Sequence, residues 1–219
     1  MPARPTLSLS TVNHSPGFGA PLSIEAVLDA AAGTGWPAVG LDTWSIAAFL
    51  AAGGSVASLG RMLRERRLAC TDVVALVIDG NGAAAESKAR TVAAGASVCG
   101  AAFAVPPDDS TVAALGRSAE VLWAHGVRLA IEFAPYSGLP TVAEAAAVAE
   151  RIGWDRAGLL IDAWQTHAAG QVTAVTSLPP GRIALVQVAD ARLPLGDDIV
   201  DASRNRRLLP GAGDLAQRV

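Results

Sequence analysis

Three short apolar runs limit what this chain can become: Leu129-Ala-Ile-Glu-Phe-Ala-Pro, Leu159-Leu-Ile-Asp-Ala-Trp and Leu185-Val-Gln-Val-Ala-Asp. Each leads into a side chain that carries an oxygen ligand: Glu132, Asp162 or Gln187. A strand covered on both faces reads as a continuous hydrophobic run, whereas a strand with one wet face alternates. The runs therefore predict buried parallel strands with a polar group at the carboxyl end of each. Three such ends, with helical sequence between them, can gather three oxygens over the mouth of a parallel barrel.

The remainder of the chain repeats the pattern. Strands are predicted over 6–12, 38–41, 68–77, 96–105, 128–133, 157–161 and 183–188. Helices are predicted over 24–32 (N-cap Ser23, stop Gly33), 46–52, 56–66, 83–94, 111–125 and 141–152, with a weak one over 172–177. Thr141 and Glu144 fall at capping-box spacing. Strands recur roughly every 25–35 residues, which is the rhythm of βα units. No linker-like stretch divides them, so one domain is predicted over 1–219. Seven units are readable and an eighth is not, whereas a full (β/α)₈ barrel is typically about 250 residues. The expected fold is thus an α/β protein, a TIM (β/α)₈-type barrel truncated or atypical at its eighth unit. Its two open strand edges call for a covering partner subunit, as in a homo-oligomer, or for a longer natural chain.

Composition removes several classes of function. The chain is 51% hydrophobic and 17% charged with a net charge of −3, which describes a compact globular protein without the basic face of a nucleic-acid binder. Its apolar runs are too short for a membrane helix, and the N-terminus lacks the apolar core of a signal peptide. Cys70 and Cys99 both lie in apolar stretches and are expected to be buried thiols of a reduced, cytoplasmic protein. Lys88 is the only lysine and falls in a polar helix, so Schiff-base chemistry is disfavoured.

Carboxylate and amide oxygens suit a hard divalent cation, Mn²⁺ or Mg²⁺. The structural alternative is that strand-end acids such as Glu132 and Asp162 merely cap the following helix or line a polar rim. His14 follows the first strand and His167 lies in a loop beyond Asp162; each is either a substrate contact or a solvated loop residue. His125, beside Gly126 at a helix end, is read as structural. Trp164 is placed to wall the site.

The segments Ile131-Glu-Phe-Ala-Pro-Tyr-Ser-Gly-Leu-Pro-Thr, Gly158-Leu-Leu-Ile-Asp-Ala-Trp, Val186-Gln-Val-Ala-Asp-Ala and Arg207-Leu-Leu-Pro-Gly-Ala-Gly-Asp, in this order, resemble the xylose isomerase-like TIM barrels. This is the sugar phosphate isomerase/epimerase group, which includes endonuclease IV and 3-dehydroshikimate dehydratase. The resemblance implies a divalent metal held by four strand-end ligands, with Glu132, Asp162 and Gln187 as the first three. The fourth, a Glu on the last strand, has no counterpart here. The resemblance also implies substrate contacts at Asp190 and Arg207. Two positions depart from the pattern: Gln165 stands where many members have a substrate-contacting His, and Gly138 where the epimerases have a second Glu.

The function so implied is a metal-dependent isomerase or epimerase of a small sugar or hydroxy-carbonyl compound in carbohydrate metabolism, with Glu132 as catalytic residue and enolisation as the chemistry. The alternatives are a 3-dehydroshikimate-type dehydratase, or a catalytically silent barrel lacking the fourth ligand.

Overall fold

A computed structural model describes residues 6–18, 21–79, 89 and 96–215. Seven parallel strands form one sheet in sequence order: β1 (Leu9–Ser10), β2 (Ala38–Asp42), β3 (Ala69–Ile78), β4 (Val98–Phe103), β5 (Arg128–Glu132), β6 (Ala157–Asp162) and β7 (Ile183–Gln187). Around it lie α1 (Ile24–Gly33), α2 (Thr43–Ala51), α3 (Val56–Glu65), α4 (Asp109–Trp123), α5 (Val142–Ile152), α6 (Ala163–Ala168), α7 (Val172–Thr176) and α8 (Ile199–Asn205). The fold is a TIM-type barrel that is open among the described residues, where β1 pairs with β2 alone and β7 with β6 alone. Val186 of the edge strand β7 is 56% exposed.

Apolar spacing explains the outer layer. In α1, Ile24, Val27, Leu28 and Ala31 are buried, the i, i+3, i+4, i+7 stripe of a helix with one apolar face. In α5, Val142, Ala145, Val148, Ala149 and Ile152 form a similar stripe behind the Thr141–Glu144 capping box. These faces join one large cluster between helices and strands.

The barrel interior is a separate, smaller cluster built on Val74, Ala130 and Leu160. It is tight. A Cβ on Gly100 would stand 2.6 Å from Val74 Cγ1 and 3.0 Å from Leu160 Cδ1, so glycine is what lets β4 share this space.

Several local expectations shift. The first strand shortens to two residues because Val12–His14 turns into a 3₁₀ segment. His167, expected in a loop, lies in the last turn of α6, whose start Asp162 caps. The predicted helix 83–94, with Lys88, falls outside the described residues apart from Ala89. Cys70 and Cys99 are free thiols; Cys99 is fully buried and Cys70 partly so, and burial pushes both up to about 12. Among the described residues no single helix is long and apolar enough to cross a membrane.

Candidate active site

The carboxyl ends of the strands surround a cavity of about 520 Å³. Glu132, Asp162 and Gln187, from the ends of β5, β6 and β7, all line it, so the three strand ends picked out by the apolar runs converge. Two further groups join them: Tyr136, Ser137 and Gln165 from the segments after β5 and β6, and Ser203, Arg204, Asn205 and Arg207 from α8 and the turn after it. Val74, Ala102 and Phe103 supply an apolar wall.

Asp162 is 3% exposed, and each of its oxygens accepts a hydrogen bond. Its Oδ1 accepts from the Gln165 backbone N at 2.9 Å, capping α6, and its Oδ2 accepts from Arg207 Nη1 at 2.6 Å. The capping alternative for a strand-end acid is therefore realised here, and so is the convergence on the cavity. Asp42 at the end of β2 likewise caps α2 through Ser45 N (2.8 Å) and accepts from Thr11 Oγ1 (2.6 Å). A buried carboxylate needs partners of this kind to stay charged at tolerable cost.

Arg207 is held on several sides. Nε donates to the Ser203 carbonyl (2.9 Å), Nη2 donates to Ser203 Oγ (3.1 Å), and the guanidinium stacks over Trp164 at 4.9 Å from the ring centroid. Ser203 Oγ shares a 2.7 Å hydrogen bond with Tyr136 Oη, which accepts from Gln165 Nε2 at 2.5 Å. The contacts close into a ring: Asp162, Arg207, Ser203, Tyr136, Gln165 and back to Asp162. Of the two hydroxyl hydrogens in this ring, the Tyr136–Ser203 bond uses one, which leaves the other for a bound molecule. Gln165 Oε1 beside it is buried and has no hydrogen-bond partner among the described residues.

Glu132 differs from its neighbours. Among the described residues none donates a hydrogen bond to its carboxylate. Burial, reinforced by the Asp162 charge and opposed by Arg207, pushes it up to about 7. A carboxyl group in that range exchanges protons readily at neutral pH.

The other expected residues lie elsewhere. Asp190 is 1% exposed and does not line the cavity. Its oxygens accept from the backbone N of Ala191 (2.8 Å), Gly211 (3.0 Å) and Leu215 (3.0 Å), while its backbone pairs with Leu208. It thereby anchors the segment that delivers Arg207. His14 is exposed and His167 is half-buried, and neither lines the cavity. At Gly138 there is no room for a side chain: a Cβ would run into the Val105 carbonyl. Tyr136 and Ser203 stand outside the expected set of site residues; their signals in the sequence are the aromatic after Pro135 in the first motif and the Ser203-Arg204 pair just before Arg207.

As a metal site the set is ambivalent in chemistry and closed in geometry. Glu132, Asp162 and Gln187 offer only oxygen donors, which suits a hard cation. As arranged they do not fit one, because the second Asp162 oxygen already holds a guanidinium. Among the described residues no group of three or more His, Cys, Asp and Glu side chains gathers as a metal cluster.

A parallel α/β barrel with its polar groups at the carboxyl mouth defines a broad class of small-molecule sites. Within it, the family model for the xylose isomerase-like TIM barrel matches residues 28–217, and the chain belongs to that family. A search of curated proteins gives no match. Among solved structures, a xylose isomerase-like TIM barrel/4-hydroxyphenylpyruvate dioxygenase fusion protein superposes with a TM-score of 0.81 at 22% identity, over 98% of this chain and 36% of that one. This chain thus spans about a third of the length of that protein. The IolI protein with a bound zinc atom gives 0.77 at 16% identity, over 96% of this chain and 81% of that one. The probable 3-DHS dehydratase AsbF from Bacillus anthracis, involved in petrobactin synthesis, gives 0.70 at 13%, over 95% and 81%.

Proposed function

We propose that the chain acts as a single domain that removes a proton next to the carbonyl of a small hydroxy-carbonyl compound, as a sugar isomerase or epimerase does. One observation carries this reading: Glu132, without a hydrogen-bond donor among the described residues and pushed up to about 7, faces a cavity that the Asp162–Arg207 pair also lines. Glu132 takes the α-proton. The hydroxyl hydrogen left over at Tyr136 and Ser203 and the guanidinium of Arg207 face the developing enolate charge. The apolar wall of Val74, Ala102 and Phe103 excludes water from the proton transfer.

A divalent metal, where the family uses one, supplies a Lewis acid for the carbonyl and the adjacent hydroxyl. No step above depends on it. Elimination is the second reading: the same proton removal followed by departure of a β-hydroxyl makes a dehydratase. The cluster of Arg204, Arg207 and Ser203 favours it, since it suits a substrate that carries a carboxylate.

The test is NMR of a panel of ketoses and of 3-dehydroshikimate incubated with the protein in D₂O, with and without Mn²⁺. Deuterium at the α-carbon with the carbon skeleton retained supports isomerisation or epimerisation; a conjugated product of water loss supports the dehydratase. Either signal should vanish in Glu132→Gln. Absence of both from every substrate leaves a barrel that binds without catalysing.

A further inference from the structure

The acid at the end of β6 already has a cation. Arg207 Nη1 stands 2.6 Å from Asp162 Oδ2, Nε and Nη2 are fixed by Ser203, and Trp164 covers the guanidinium face. The side chain of Asp162 is 3% exposed and that of Arg207 25%, so water screens the pair poorly. The other Asp162 oxygen is spent on the α6 backbone. A metal ion approaching the oxygens of Glu132 and Gln187 therefore meets a carboxylate whose two oxygens each already accept a hydrogen bond, with a fixed positive charge beside it.

We propose that Arg207 is a tethered cation that occupies the Asp162 position, so that its guanidinium and a divalent metal ion exclude one another there. The contacts of Asp162 carry this exclusion independently of the enolisation reading. Direct competition predicts more than repulsion. Loosening the guanidinium should admit the metal even when the charge is kept, and the admitted metal should depend on Asp162.

Calorimetric titration of the full chain with Mn²⁺ reads this without any substrate. Arg207→Gln, checked for folding by circular dichroism, is expected to bind one Mn²⁺ at least tenfold more tightly than the parent. Ser203→Ala keeps the charge and the Nε contact to the backbone carbonyl while removing the Oγ contacts to Nη2 and to Tyr136 Oη; it is expected to fall between the two and remains informative should Arg207→Gln fail to fold. Adding Asp162→Asn to Arg207→Gln should abolish the gain. Equal affinities within twofold across parent and single variants, no Mn²⁺ binding in any of them, or tight binding retained in the double variant would each overturn the proposal. Failure of the enolisation reading shows instead in the deuterium experiment, where the metal titration has no part.

Discussion

The two ends of this barrel each hold an acid drawn away from water, buried at one end and half-buried at the other, and they treat it differently. Near the amino ends of the strands, Asp72 of β3 is 3% exposed, accepts from Thr71 Oγ1 at 2.7 Å and is also hydrogen-bonded by the Ser8 side chain. Gly40 on the neighbouring strand leaves the space it fills, since a Cβ there would stand 2.6 Å from the carboxylate. On the same side Arg128 Nη2 reaches the carbonyls of Trp154, Ala157 and Gly181 at 2.8–3.0 Å and ties the β5–β7 region together. At the carboxyl ends, among the described residues, Glu132 has no hydrogen-bond donor and lines a cavity, with the unpartnered Gln165 Oε1 buried behind its wall. Polar groups answered from within hold a fold; polar groups left unanswered beside a cavity are available to a ligand.

The largest effect expected comes from the mouth residue that breaks this division. Asp162 is structural by its contacts and sits in the site by its position. Asp162→Ala removes the α6 cap and strands Arg207, and should lower stability by about 3 kcal/mol in urea unfolding. A loss below about 1 kcal/mol would mean that the ring does not hold the mouth together.

Arg128→Met tests the opposite end. Three carbonyls lose a charged donor, for an expected loss of about 2 kcal/mol. Deuterium exchange on a responsive substrate should persist, and its loss would dissolve the contrast between the two ends.

Glu132→Gln should act in the reverse sense on stability. The carboxyl group goes from 4.5 to about 7 on folding, so below pH 4.5 it is neutral in both states and neutral burial carries no penalty. Ionisation opposes folding progressively as pH rises from 4.5 to 7 and by a constant amount above that. In chelator-treated protein the variant should therefore gain up to about 3 kcal/mol above pH 7 and nothing at pH 4, read from urea midpoints, while exchange activity is lost. A pH-independent difference would show that Glu132 is solvated like a surface acid.

Asp72→Asn should show the same sign and a smaller size, because Thr71 and Ser8 already stabilise the anion against the burial that raises its pKa. The gain should appear at neutral pH and fade in acid, measured as a thermal midpoint at the two pH values. A larger gain than that of Glu132→Gln would invert the comparison.

Much of this was legible in the sequence, for a physical reason. Strands buried on both faces are read from continuous apolar runs, and helices from a 3.6-residue stripe and a cap such as Ser23 or Thr141; both signals are local. Because parallel strands with helical crossovers all point one way, the runs ending in Glu132, Asp162 and Gln187 already implied a shared mouth, and the structure brings these three residues to one cavity. Only the tertiary structure could decide what each does there. The turn of Asp190 into a backbone anchor, the exclusion of any side chain at Gly138 by the Val105 carbonyl, and the closure of the Asp162–Arg207–Ser203–Tyr136–Gln165 ring join residues up to 67 positions apart. Local patterns fix the direction of a strand, but the partner of a polar group is chosen by whatever the fold places within about 3 Å of it.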